Sequence, residues 1–207
     1  MEEFVTINQD AKAEITIKKS KFIAEVFYIE NQKQAEKKIQ EVVKREHGAK
    51  HHCYAYRVLE ESLIQRMSDD GEPSGTAGNP MLTILQGKDL INVLVIVTRY
   101  FGGILLGTGG LVRAYSDATI DAINKAGEKK KKKGSELSFQ IEYSDLEYLK
   151  YYLNQIGGRI EKVGYAKNVE LVIHVPNEHE EEFTRNYSRL PFKIEKIEKI
   201  TEKFVDI

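Results

Sequence analysis

Val93-Leu-Val-Ile-Val-Thr-Arg-Tyr-Phe-Gly-Gly-Ile-Leu-Leu-Gly-Thr-Gly-Gly-Leu-Val-Arg-Ala-Tyr-Ser116 holds three kinds of structure in one stretch. Val93 to Val97 is a continuous run of β-branched and aliphatic residues, which predicts a strand covered on both faces. Gly102 to Gly110 is too rich in glycine for regular structure and predicts a loop. Leu111, Tyr115, Ala118 and Ala122 then recur at helical spacing, so the loop feeds a helix. A buried strand, a glycine loop and a helix in sequence make an α+β domain the natural reading.

The elements upstream agree. Ile15 and Ile17 alternate with polar residues, meet a Lys-Lys-Ser turn, and give way to Phe22, Ala24, Val26 and Tyr28, the pattern of a β-hairpin. Residues 32–46 carry Ala35, Ile39, Val42 and Val43 at helical spacing, with a stop expected at His47-Gly48 through a left-handed glycine. Cys53 to Leu59 and Leu63 to Met67 form a second strand pair, and Ser68 to Gly75 is dense in turn residues and predicts an exposed loop. Ala77 to Gln86 reads as a short helix starting near Pro80.

Downstream, Glu128 and the five lysines 129–133 precede Gly134-Ser135, a composition that suggests an interdomain connection. The remainder reads as strand 137–143, helix 145–156, strands 159–166 and 169–175, helix 178–190 and strand 192–205. That βαββαβ order is ferredoxin-like. Two domains are therefore expected, at 1–133 and 134–207, in a chain of 207 residues.

Composition narrows the function classes. Lysine and arginine (31) nearly balance aspartate and glutamate (32), for a net charge of -1, so binding of nucleic acid needs a local basic patch. The single cysteine, Cys53, cannot form an internal disulfide, which fits a reducing compartment. The Met-Glu-Glu-Phe start lacks the basic and apolar regions of a signal peptide. No apolar run approaches the roughly 20 residues of a membrane span. A soluble cytoplasmic protein without membrane contact or DNA sequence readout is expected.

Three strings carry a resemblance. His51-His-Cys-Tyr-Ala-Tyr-Arg57, Asp69-Asp-Gly-Glu-Pro-Ser-Gly-Thr-Ala-Gly-Asn-Pro-Met-Leu82 and Val97-Thr-Arg-Tyr-Phe-Gly-Gly-Ile-Leu-Leu-Gly-Thr-Gly-Gly-Leu-Val-Arg-Ala-Tyr-Ser116 resemble the signature of the IMPACT family. The two-domain layout is similar to its bacterial, YigZ-type branch. The resemblance implies a first domain with the fold of the second domain of small-subunit ribosomal protein five. It implies a second domain similar to the ferredoxin-like last domain of elongation factor G. Eukaryotic members regulate translation by competing for the activator of a starvation-sensing kinase, through an additional N-terminal domain that the motifs here do not include. For the bacterial branch the resemblance implies RNA, ribosome or translation-linked protein partners rather than a defined reaction.

On their own chemistry, the glycines are the sharpest candidates. Gly102, Gly103, Gly107, Thr108, Gly109 and Gly110 precede a helix, where converging amides and the helix end favour an anion, and Arg99 and Arg113 flank them. The tract is neither a Walker loop nor a dinucleotide fingerprint, and tight packing with positive φ angles explains glycines equally well. Tyr54, Tyr56, Arg57 and Tyr100 suggest an aromatic, basic surface for unpaired bases, or simply the sheet's packing face. Asp69, Asp70, Glu72, Ser74 and Thr76 form a loop expected to shape a cleft beside the glycine tract; solvated acids are the plainer reading. His51 and Cys53 alternate onto one face and His52 onto the other, which argues against a metal site, and Cys53 suits a buried small hydrophobe. No metal or cofactor is expected. Two alternatives to RNA or ribosome binding stand: an enzyme or nucleotide binder acting on a phosphorylated small molecule, by analogy with kinases that share the implied first-domain fold, and a protein–protein regulator.

Overall fold

The computed structural model describes residues 1–206. The chain divides into two compact units, Val5–Lys129 and a second made of Met1–Phe4 with Lys130–Ile207. In chain order the strands and helices are β1 (Glu3–Ile7), β2 (Ala11–Ile17), β3 (Ser20–Tyr28), α1 (Gln32–Arg45), β4 (His51–Leu59), β5 (Leu63–Ser68), α2 (Gly78–Gly87), β6 (Val93–Tyr100), α3 (Gly107–Ala126), β7 (Glu128–Ile141), α4 (Leu146–Gln155), β8 (Arg159–Tyr165), β9 (Val169–Pro176), α5 (Asn177–Thr184) and β10 (Glu195–Asp206). The class is α+β, as the patterning implies.

The first unit is built on an antiparallel sheet of order β2-β3-β6-β4-β5. Its middle strand, β6, alternates between two cores. Val93, Val95 and Val97 pack with Met81 and Leu85 of α2 and with Leu111, Tyr115, Ala118 and Ala122 of α3. Leu94 and Ile96 pack on the opposite face with Ala35 and Val42 of α1. Both sides of β6 are covered, which is why its sequence lacks the polar alternation of a half-exposed strand. The same alternation sends Arg99 toward the α2/α3 face and Tyr100 toward the α1 face.

Local signals explain most boundaries. Lys18 and Lys19 both take positive φ (44° and 67°), closing the β2–β3 hairpin with a two-residue turn. Asn31 caps α1 by accepting from the Gln34 amide at 2.8 Å. Pro80 lies in the first turn of α2, where its missing amide costs nothing. At the end of α1 the helix stops at Arg45, and the left-handed glycine expected at Gly48 does not occur. The Glu46 amide instead bonds the Val42 carbonyl at 2.8 Å.

The second unit has strand order β10-β7-β9-β8, all antiparallel, with β1 also beside β7. This is the ferredoxin-like order. Leu137, Phe139, Leu149, Leu153, Leu171, Ile173 and Phe183 form its core. The boundary between the two units, Lys129 to Lys130, falls inside the lysine block, and the block itself is strand, because residues 128–141 are one continuous β7. Carboxylates make this possible by facing the cations: Lys132 pairs with Glu178 at 2.7 Å and Lys133 with Glu2 at 3.0 Å. Lys131, Lys132 and Lys133 stand opposite Asp206, Val205 and Phe204 in the ladder to β10. The helix expected at 178–190 is shorter: α5 ends at Thr184 and a single 3-10 turn, Tyr187–Arg189, follows. β1 carries no expectation from the sequence, since it is short and is stabilised by pairing with a distant strand.

Candidate functional site

The C-terminal end of β6 opens onto a cavity of about 430 Å³ within the first unit. Its lining comes from four places in the chain: Lys50 and His51 at the start of β4, Gly71, Glu72 and Pro73 from the loop after β5, Arg99 and Phe101 at the end of β6, and Leu105 to Thr108 with Leu111 at the start of α3. A volume of this size suits a small ligand or one unit of a larger one.

The floor is a buried polar chain. Arg99, only 5% exposed, donates from Nη1 to Glu72 Oε1 at 2.6 Å. The Tyr115 hydroxyl donates to the same oxygen at 2.8 Å. The guanidinium also lies 5.4 Å from the centre of the Phe22 ring and 5.6 Å from that of Phe101. Its Nε has no hydrogen-bond partner among the described residues. Burial, with the neighbouring Cys53 and Glu72 adding to it, pushes the Tyr115 phenol upward, so Tyr115 serves as a donor. Burial likewise pushes the Cys53 thiol up to about 12, and its Sγ reaches the Asp69 carbonyl at 3.0 Å. Cys53 is a packed, protonated thiol, as the sequence reading has it.

The loop after β5 is held by its own acid. Asp69 accepts from the amides of Gly75 (2.8 Å), Ala77 (3.0 Å) and Gly78 (2.8 Å). Burial alone raises this carboxyl, but the three amides outweigh it and hold it below the ordinary aspartate range. Asp70 accepts from the His52 amide at 2.6 Å. Thr76 folds its hydroxyl onto the Pro73 carbonyl at 2.6 Å and is buried. Glu72 is buried too, so the loop is exposed only in part, at Asp70, Gly71, Pro73 and Ser74. The expected solvated acids are therefore structural at Asp69 and Glu72.

Glycines serve different ends along the tract. A side chain at Gly102 would sit 2.0 Å from the Lys19 carbonyl carbon, so this glycine answers a close backbone approach, and its amide donates to Ser20 Oγ at 3.2 Å. Gly107 begins α3 at φ 73°. Gly107, Thr108 and Gly109 are exposed, and no side chain caps the helix. Gly103 also takes positive φ with open space around it, and Gly110 packs against Leu106.

The remaining candidates lie elsewhere. Arg113 is exposed on α3 and does not line the cavity. Tyr56, 4% exposed, and Tyr54 belong to the core beneath α1, stacked 6.3 Å apart. Arg57 is buried and donates to the carbonyls of Leu85 (3.2 Å) and Leu90 (3.0 Å). Tyr100 faces α1 and donates to Glu46 at 2.9 Å. The aromatic, basic surface expected of these four is thus dispersed into packing and local bonds. His51 and Lys50 are among the lining residues to which the sequence assigned no role. His51 turns its Nδ1 to the Asp70 carbonyl at 2.7 Å, while the next ring, His52, turns its Nε2 to the Glu46 carbonyl at 3.1 Å on the other face. The alternation of His51 with Cys53 was the available signal. Lys50 offered none beyond its place before the strand.

Fold and site together define a two-unit α+β protein with a polar-floored cavity at the strand–glycine loop–helix junction. Residues 18–123 match the Impact N-terminal domain and residues 139–186 a domain of unknown function, DUF1949. The chain is 34% identical over 184 residues to IMPACT family member YvyE of Bacillus subtilis (strain 168), covering 89% of this chain and 85% of that protein. It is 39% identical over 171 residues to IMPACT family member YigZ of Escherichia coli (strain K12), covering 81% and 83%. A solved structure described as a hypothetical protein aligns with a TM-score of 0.65 at 33% identity, covering 96% of this chain and 98% of that one. The chain belongs to the IMPACT family. No helix among the described residues is long and apolar enough to cross a membrane.

Proposed function

We propose that the protein is a translation-linked binding protein whose first unit seats a phosphate group of RNA in the cavity at the start of α3. One observation carries this reading: an uncapped helix start with exposed amides opens on the same cavity as Arg99, Lys50 and His51. Helix ends of this kind favour anions through their free amides and a partial charge of about +0.5. The link to translation rests on the resemblance of the motifs between His51 and Ser116 to a family whose eukaryotic members act there.

Electrophoretic shift of short single-stranded RNA by the full chain, across a salt series, tests the reading. Binding at low salt that weakens in Lys50→Ala is expected. No association at any salt overturns it. The size of the cavity, about 430 Å³, favours one further reading, a phosphorylated small molecule as the ligand. Under that reading a nucleotide raises the melting temperature while RNA leaves the gel unshifted.

A further inference from the structure

We infer that the second unit carries a proton-operated clamp. In it the imidazolium of His174, on β9, holds Glu136 of β7 on one side and Glu161 of β8 on the other. His174 is 4% exposed. Its neighbours Ile173 and Val175 pack into the core with α4 and α5, so the ring faces the opposite side of the sheet. There it stands between two strands, with Glu136 and Arg159 as its direct partners in register.

The charged groups on that face come from three strands. His174 Nε2 lies 2.7 Å from Glu136 Oε2. Lys203 of β10 bonds the same oxygen, and Lys203 and then His174 hold Glu136 below the ordinary glutamate range. Glu136 is therefore a carboxylate, which only accepts, and Nε2 carries a proton. The other nitrogen, Nδ1, is buried and has no hydrogen-bond partner among the described residues. The anion nearest to it is Glu161, whose Oε2 lies 3.7 Å away. Arg159 is engaged elsewhere: Nη2 donates to Glu161 at 3.1 Å and Nη1 to Asp206 of β10, while Nε has no hydrogen-bond partner among the described residues. Lys131 of β7 pairs with Asp206 at 3.1 Å, and Lys162 of β8 stands opposite Val172. A neutral ring would thus bury a lone pair beside a carboxylate with no donor for it. A second proton removes that fault, since each ring nitrogen then carries a donor beside an anion.

The clamp acts where the sheet needs support. β8 is an edge strand whose sheet neighbour is β9, and a register shift at Glu161 interrupts their ladder between Ile160 and Lys162. A proton that folding favours stabilises fully at low pH, and its contribution is lost as pH rises. Loss of the second proton from His174 should loosen β8 from β9.

Imidazole ¹H–¹⁵N spectra and amide hydrogen exchange on the full-length chain test this. At pH 7.5 an ordinary histidine is about nine-tenths neutral, yet both ring nitrogens of His174 should still show imidazolium shifts. Between pH 6.5 and 9 the β8 amides bonded to β9 should gain about fivefold or more in exchange beyond the intrinsic rise with pH, the worth of one hydrogen bond. The amides of β3, in the first unit, should follow the intrinsic rise alone. His174→Gln keeps a donor for Glu136 but cannot gain a charge, so its β8 amides should exchange fast already at pH 6.5, with no excess rise. Glu161→Gln should leave the fold intact and the ring neutral at pH 7.5; if His174→Gln does not fold, this variant decides. A wild-type ring that is neutral at pH 7.5, its Nδ1 met by a buried water, overturns the inference. So does an excess rise that survives His174→Gln, or a ring whose protonation ignores Glu161→Gln.

Discussion

Arg99 carries a full charge into a position almost closed to water, and Glu72 is what makes this tolerable. Their side chains are 6% and 3% exposed, and Tyr115 shares the same carboxylate oxygen. Removing one member of such a pair leaves the other charged, buried and alone, which costs far more than a surface pair is worth. Glu72→Gln should lower unfolding free energy by about 3 kcal/mol or more. Replacing both groups, as in Arg99→Met with Glu72→Leu, should recover most of that loss. Urea denaturation of the two variants checks this, and a double variant no better than the single one contradicts it. Cys53 gives a second test at this scale. With its thiol raised to about 12 by burial, the native chain at pH 8 should react with an alkylating reagent at least about 100-fold more slowly than the unfolded chain. Fast stoichiometric labelling of folded protein contradicts the placement.

Two elements shape the cavity mouth, the β6–α3 junction and the loop after β5. Gly102→Ala should damage the junction, since its Cβ would fall 2.0 Å from the Lys19 carbonyl carbon and force the hairpin turn away. A loss of about 2 kcal/mol or more is expected from the overpacking, together with weaker binding of any ligand held there. In the loop, Asp69 is held below its ordinary value of 3.8 in the folded chain. A carboxyl depressed on folding stabilises fully above its unfolded value, and that stability is lost as pH falls through the folded one. Acid should therefore unlatch residues 69–78 below about pH 4, and Asp69→Asn should flatten that limb of the stability curve. An unchanged acid limb in the variant removes Asp69 from the account. These elements also mark how far the sequence could be read. β6 and α3 were legible because a run covered on both faces and a 3.6-residue stripe are local patterns. Which glycine answers which need was not, because Gly102 depends on Lys19, far away in the chain. That the lysine block is strand was not legible for the same reason: its partners Glu2, Glu178 and Asp206 lie far from it in the sequence. Tyr54, Tyr56 and Arg57 alternate as any strand does, and only the register against β6 and the position of α1 decide that they are packing.

At the scale of the whole chain, charge is nearly balanced, 31 lysines and arginines against 32 acids. Long-range attraction to a polyanion is therefore weak, and under the proposed function recognition would rest on the cavity at the start of α3. RNA binding should accordingly show a shallow salt dependence, with a log–log slope of about -1, as expected when one or two cations meet phosphates. A slope several times steeper means that a broad basic face, rather than the cavity, does the binding. The most direct test follows the helix-start amides themselves. In the intact ¹⁵N-labelled protein, titration with inorganic phosphate and then AMP should move the Gly107, Thr108 and Gly109 amide resonances together, saturably, and far less in Lys50→Ala. If those three amides stay still while others shift, or nothing shifts, the start of α3 is not where this protein holds an anion.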